Sequence, residues 1–234
     1  MADFLLPFAP ALAQISQGDI QTNMILASLL VIFLAIGIHE YCHAKFADMA
    51  GDPTPRIYGR VTLNLFNHFD LMGSIFIIIT VVSGFGIGWG RPVPMDPSKM
   101  RNPRWDHFAA VAAGPVSNLL QAVVWALLAR VMMPMADTVG PFMALLPYMG
   151  VVINIALFLF NLIPIGPLDG MWILGTFLPE NLRDKWTFWN LRTGMYVFLG
   201  LILIGMFSPV SPISFLIMHP AQFLTRLLLG PVFG

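Results

Sequence analysis

The chain has 234 residues, of which 57% are hydrophobic and 10% charged, whereas a soluble domain carries about 25% charged residues. Lysine plus arginine and aspartate plus glutamate balance at 12 each, so there is none of the basic excess that marks a nucleic-acid binder. The single Cys42 excludes an internal disulfide framework.

This composition is that of a polytopic membrane protein. The opening "MADFLLPFAPALAQ" lacks the basic start of a secretory signal and reads as part of the mature chain. A bilayer-crossing helix needs about 20 mostly apolar residues. Such stretches fall near 22–48, 107–133, 143–164, 193–209 and 212–230, predicting an all-α membrane fold with about five transmembrane helices in a single domain, 1–234. A sixth apolar stretch, 71–88, reads as a re-entrant segment. Between these lie "GDPTPRIYGR", "GRPVPMDPSKMRNPRWD", "IPIGPLDG" and "LPENLRDKW", whose Pro, Gly and Asp content predicts loops. "RIYGRVTLNLF" and "GFGIGWGRPVPM" combine β-branched and Gly-rich sequence, predicting short membrane-associated β-strands. A strand edge facing lipid is too costly, so such edges line a cavity or accept an unwound substrate by strand addition.

Charge bias carries the re-entrant reading. Lys45, Arg56 and Arg60 follow the first helix and mark that end as cytoplasmic. If 71–88 crossed fully, Arg91, Lys99, Arg101 and Arg104 would lie outside. If it dips in and returns, they stay inside, and so do Arg183, Lys185 and Arg192. That topology puts the N-terminus outside, Arg130 near the outer end of its helix, and the C-terminus beyond Arg226 in the cytoplasm.

The chemistry begins at "HEYCH". His39 and His43 are four residues apart, so on a helix they share one face, offset by roughly 40°. Both imidazoles can reach one Zn²⁺, while Glu40, turned aside by roughly 100°, is free to act as general base toward water at the metal. A pair of helix-end histidines snorkelling to the interface is the bland alternative. Ionisable residues inside a membrane are functional by default, which favours the metal. A catalytic zinc needs a third protein ligand and one open position. His107 and His219 are poorly placed by sequence. Asp169 follows an apolar helix and sits on backbone broken by Pro164, Gly166, Pro167 and Gly170, which can turn it inward. It could instead cap the next helix. The re-entrant topology returns Asp169 to the membrane side of His43. Asn118 and Asn161 lie in apolar sequence, where an amide serves either as glue between helices or as an oxyanion donor. Cys42 reads as packing, Asp70 with His68 as a cap for the following segment, and Trp89, Trp105, Trp172, Trp186 and Trp189 as an interfacial belt.

With "HEYCH" at 39–43, "AAGPVSN" at 112–118 and "NLIPIGPLDG" at 161–170, the chain resembles the site-2 protease family of intramembrane zinc metalloproteases. "GDPTPRIYGRVTLN" and "GWGRPVPMDP" further resemble its compact bacterial branch, which lacks appended PDZ or CBS domains. The resemblance implies one Zn²⁺ per chain held by His39, His43 and Asp169. It further implies that Glu40 activates water for peptide-bond hydrolysis in or near transmembrane segments, and that Asn118 and Asn161 help bind substrate or polarise its carbonyl. One departure is Leu71, where relatives usually carry proline. The expected setting is the cell membrane, bacterial and inner. The expected partners are transmembrane protein substrates, the lipid bilayer and a regulatory membrane protein, with no nucleic acid. A non-proteolytic metal-binding scaffold or a metal transporter is the alternative. A transporter would need polar residues through several helices, whereas here they cluster at one depth.

Overall fold

The computed structural model of the protein describes residues 17–83, 88–207 and 212–230. Its helices are α1 (Gln17–Ala50), α2 (Thr54–Ile57), α3 (Leu71–Ser83), α4 (Trp105–Met132), α5 (Ala136–Val139), α6 (Pro141–Asn161), α7 (Asp169–Phe177), α8 (Glu180–Trp189), α9 (Met195–Phe207) and α10 (Pro212–Leu229). Four stretches are long and apolar enough to cross a membrane: Asp19–Ala50, Trp105–Met135, Pro141–Asn161 and Glu180–Gly205.

The core is a bundle of α1, α4 and α6. Lipid tails are as apolar as leucine, so close backbone approach rather than hydrophobic burial draws such helices together. The buried faces use small residues accordingly: Ala27, Val31 and Ala35 on α1, and Ala122, Ala126 and Ala129 on α4. The larger Leu120, Val124, Leu127 and Val131 of α4 point outward. At one end α6 packs Leu145 against Met133. At the other lie the metal-ligand candidates.

In the predicted segment 71–88 the described parts, 71–83 and 88 onward, lie side by side as the two arms of a hairpin, with 84–87 outside the described residues. Helix α3 has 13 residues and is therefore about 20 Å long, short of a hydrocarbon core of about 30 Å. The chain then runs back beside it. Trp89 stacks on Phe76 at 5.1 Å, Gly88 lies against Ile77, and the Trp89 carbonyl lies against Gly73. Arg91 N–H donates to the His68 carbonyl at 2.8 Å, so the two ends of the hairpin meet. Asp70 caps α3 as expected, its Oδ1 accepting from Gly73 N–H at 2.7 Å.

Three expectations are corrected. The predicted strands are absent among the described residues: 54–57 and 65–68 are helical turns, and 88–96 has no regular secondary structure. Pro92 and Pro94 remove two of the N–H groups a ladder would need, and part of that stretch, 84–87, lies outside the described residues. "LPENLRDKW", predicted as a loop, is mostly α8, which a π-helical turn at Asn190–Gly194 joins to α9. Charge keeps a helix out of hydrocarbon without breaking it, and Pro179 precedes the first turn where proline is tolerated. The fifth spanning helix, α10, falls outside the four apolar spans, being interrupted by His219, Pro220, Gln222 and Arg226. Its early residues Ile213 and Ile217 pack beside Ile163 and Leu168 near the Asp169 loop. Its last turn reaches Met133 through Leu229, and Arg130 Nη2 donates to the Leu228 carbonyl at 2.7 Å. The described C-terminal end therefore shares the Arg130 end of the bundle, not the end that holds the ligand cluster. Arg226 is a helix residue rather than a loop charge.

Candidate metal centre

His39 and His43 sit on consecutive turns of α1, 7% and 4% exposed, with ring planes at 89°. Their Nε2 atoms approach to 2.9 Å. Asp169, the first residue of α7, brings Oδ2 to 3.3 Å from His39 Nε2 and 3.4 Å from His43 Nε2. The three form a cluster able to hold a metal.

The partners of the other ring nitrogens decide its chemistry. His39 Nδ1 lies 2.7 Å from Asn118 Oδ1, and His43 Nδ1 lies 2.9 Å from the Ala110 carbonyl. Both partners are acceptors, because the Asn118 amide nitrogen is used elsewhere, so both histidines donate from Nδ1. Each ring, when neutral, can then present a lone pair at Nε2 to a metal. Asp169 Oδ2 adds a third possible ligand and has no hydrogen-bond partner among the described residues. Three atoms able to ligate a cation thus converge on one point. Ligands about 2.0 Å from a tetrahedral zinc stand roughly 3.3 Å apart, close to the separations found. The residues fit zinc.

Small residues make the room. Gly114 of α4 faces both rings: a Cβ there would overlap His43 Nε2 and Cε1 and lie 2.7 Å from His39 Cε1. Asp169 is placed by the loop 162–168. Gly170 packs so closely on the Leu162 and Ile163 carbonyls that a side chain would collide with them. Asn190, 2% exposed, accepts from Gly166 N–H at 2.8 Å through Oδ1, and Trp186 Nε1 donates to the Met171 carbonyl at 2.8 Å. The π turn and α8 therefore brace both the loop and α7.

Glu40 is half-buried beside this cluster and is not one of its ligands. It lies within electrostatic reach of His39, His43, Asp169 and Arg60, and packs on Gly90, where an added Cβ would lie 3.3 Å from its Oε1. Asn118 is fully buried. Besides accepting from His39, it donates to the Ala35 carbonyl at 3.3 Å and to Asn154 Oδ1 at 3.1 Å. Both of its N–H bonds are committed. Asn161 ends α6, donating to the Leu157 carbonyl at 3.0 Å. His107 packs edge-on to Trp172 and His219 lies exposed on α10, so neither joins the cluster. His68 Nε2 donates to the Thr62 carbonyl at 3.0 Å rather than pairing with Asp70.

Sequence reasoning missed Asn154, Asn190, Gly114 and Arg60. The two asparagines carried a signal, being amides in apolar helical sequence, but their partners are 36 and 24 residues away. A cleft of about 530 Å³ is lined by Arg104, His107, Trp172, Thr176, Arg183 and Phe188 among others, with none of His39, Glu40, His43 or Asp169 in its lining.

Helices able to cross a membrane, and a His–His–Asp cluster with a carboxylate beside it, mark a membrane protein with a candidate metal site. The chain is 34% identical over 163 residues to the "Putative zinc metalloprotease YwhC" of Bacillus subtilis (strain 168), covering 68% of this chain and 72% of that protein. It belongs to this family of zinc metalloproteases. No family model matches the chain, and no solved structure does.

Proposed function

We propose that the protein is an intramembrane zinc endopeptidase of the site-2 type, a single domain cutting peptide bonds in or near the transmembrane segments of other proteins. The observation that carries this reading is the convergence of three acceptors on one point, with Glu40 beside them. A zinc ion held by His39, His43 and Asp169 would supply Lewis acidity and bring the pKa of water down to about 7. Glu40 takes the proton of the attacking water and delivers it to the leaving amine. Asn118 fixes the tautomer and orientation of His39, the usual task of a group behind a ligand. With its N–H groups committed, Asn118 leaves oxyanion donation to Asn161 or to backbone.

Depth supports the same reading. The ligands occupy the end of α1 that leads to Lys45, Arg56 and Arg60, which the charge rule makes cytoplasmic. A hairpin too short to cross, dipping in and returning, would wall the centre from lipid while water arrives from the cytoplasm. The stretch 88–96, outside regular secondary structure, offers the backbone groups that Arg91 and Asp96 do not already commit to a substrate unwound into an extended form. The setting is the cell membrane with the N-terminus outside, and the partners are membrane proteins with cleavable helices and a regulatory membrane protein.

The test is cleavage of a tagged membrane substrate by purified protein, alongside its bound zinc. Cutting that stops on chelation and in Glu40→Gln, while that variant keeps its zinc, is the expected result. Wild-type activity in Glu40→Gln would remove Glu40 from the mechanism. Zinc-bound protein that cuts nothing across a broad panel of membrane proteins would favour a scaffold.

A further inference from the structure

Arg60 is a buried charge that the chemistry above does not use. It is 2% exposed in the loop after α2. Its Nη2 donates to the Arg91 carbonyl, while Nε and Nη1 find no acceptor among the described residues. Withdrawing a guanidinium from water is costly unless its charge and donors are matched. Holding one carbonyl does not require that cost, since a neutral amide could do it. The carboxylate whose field favours the Arg60 charge is Glu40, with Arg91 acting against it.

The two are also joined through the backbone. Glu40 leans on Gly90, where a Cβ would lie 3.3 Å from its Cγ and Oε1 and 2.5 Å from Ile36 Cγ2. The next residue is pinned on both sides: Arg91 N–H donates to the His68 carbonyl at 2.8 Å, and Arg60 holds the Arg91 carbonyl. The Gly90–Arg91 backbone is thus a wall against which the Glu40 carboxylate rests, and Arg60 is the fastening that also carries charge.

We propose that Arg60 is a positioning residue for Glu40, fastening the Gly90–Arg91 backbone so that the carboxylate stays turned toward the His39–His43–Asp169 cluster. This rests on the reading of Glu40 as the base. Without the fastening, Glu40 gains orientations that cannot reach the water. The ligands keep their own supports, Asn118, the Ala110 carbonyl and the 162–168 loop, so zinc is retained.

The experiment uses the full chain, purified, and a tagged membrane substrate that wild type cuts and Glu40→Gln does not. Meeting that condition establishes the proteolytic reading first, so a failure of either idea can be told apart. Arg60→Gln, Arg60→Lys and, as control, the exposed Arg56→Ala are compared for bound zinc, kcat, KM and amide hydrogen exchange at 88–91. Arg60→Gln should bind zinc as wild type does, lose about tenfold or more in kcat with KM within about twofold, and exchange faster at 88–91. Arg60→Lys should regain part of kcat, and Arg56→Ala should match wild type. If Arg60→Gln does not fold, the intermediate kcat and exchange of Arg60→Lys carry the test. Unchanged kcat, a rise in KM alone, or loss of zinc from both Arg60 variants would overturn the proposal, the last by making Arg60 a support of the fold.

Discussion

Each histidine of the centre is oriented by what stands behind it. Asn118 and the Ala110 carbonyl accept the Nδ1 protons, which leaves Nε2 as the ligand on both rings. Asn118→Ala should therefore weaken zinc binding by about 10- to 100-fold, read by competition with a chelator of known affinity. Gly114→Val should do worse, since a side chain there enters the volume of both rings. Glu40→Gln should cut turnover by about 10²-fold or more, the usual weight of a general base, with zinc content unchanged. "HEYCH" makes His39, Glu40 and His43 legible because helix periodicity relates them locally. The task of Asn118 is not legible in that way: its partner is 79 residues off, and only the packing of α4 on α1 brings them together.

Among the elements, α7 and the hairpin of α3 depend most on neighbours. Asp169 reaches the histidines because the 162–168 loop is tied to Asn190 and α7 to Trp186. π-helical turns often mark functional sites, and this one supplies that tie. Asn190→Leu should lower zinc affinity while sparing the His39–Asn118 contact, measured as zinc retained on dialysis. The hairpin has a pH dependence of its own. Burial pushes the His68 imidazole down, its bond to the Thr62 carbonyl pulls partly back, and the Arg60 charge adds to the fall. Unfolding restores a value of about 6.5, so the open form takes up protons first. The contribution of His68 is complete above about pH 6.5 and is lost as pH falls toward the depressed value. Protection factors of the amides at 65–83 and 88–91, corrected for the intrinsic slowing of exchange at lower pH, should drop as pH falls below about 6.5, and His68→Asn should flatten that change.

For the bundle as a unit, metal and membrane set the tests. A metal held by three side chains of the folded bundle favours the folded form, so zinc should raise stability by about 2.7 kcal/mol when free zinc is about a hundred times Kd. Thermal unfolding in detergent with and without chelator measures it. The orientation can be read with Cys42→Ser as background. Thr138→Cys, at the end of the bundle away from the ligands, should react with an impermeant maleimide in intact cells. Ser98→Cys, on the loop that follows the hairpin, should react only after permeabilisation. The reverse pattern would place the centre toward the outer face.

The amino-acid sequence alone settles what depends on nearest neighbours and on solvent. Low charge and long apolar runs make a membrane bundle, and the spacing of His39, Glu40 and His43 puts two possible ligands and a carboxylate on one stretch of helix. Charge bias leads to the expectation that 71–88 returns, and Gly88 and Trp89 pack on Gly73, Phe76 and Ile77. Tertiary structure decided the rest: that α8 is helix rather than loop, that α10 ends beside Arg130, and that Asn118 serves His39. The physical reason is common to these cases. Composition and periodicity report how a segment meets lipid and water, but the partners of a buried polar group lie on other segments, and only packing chooses them.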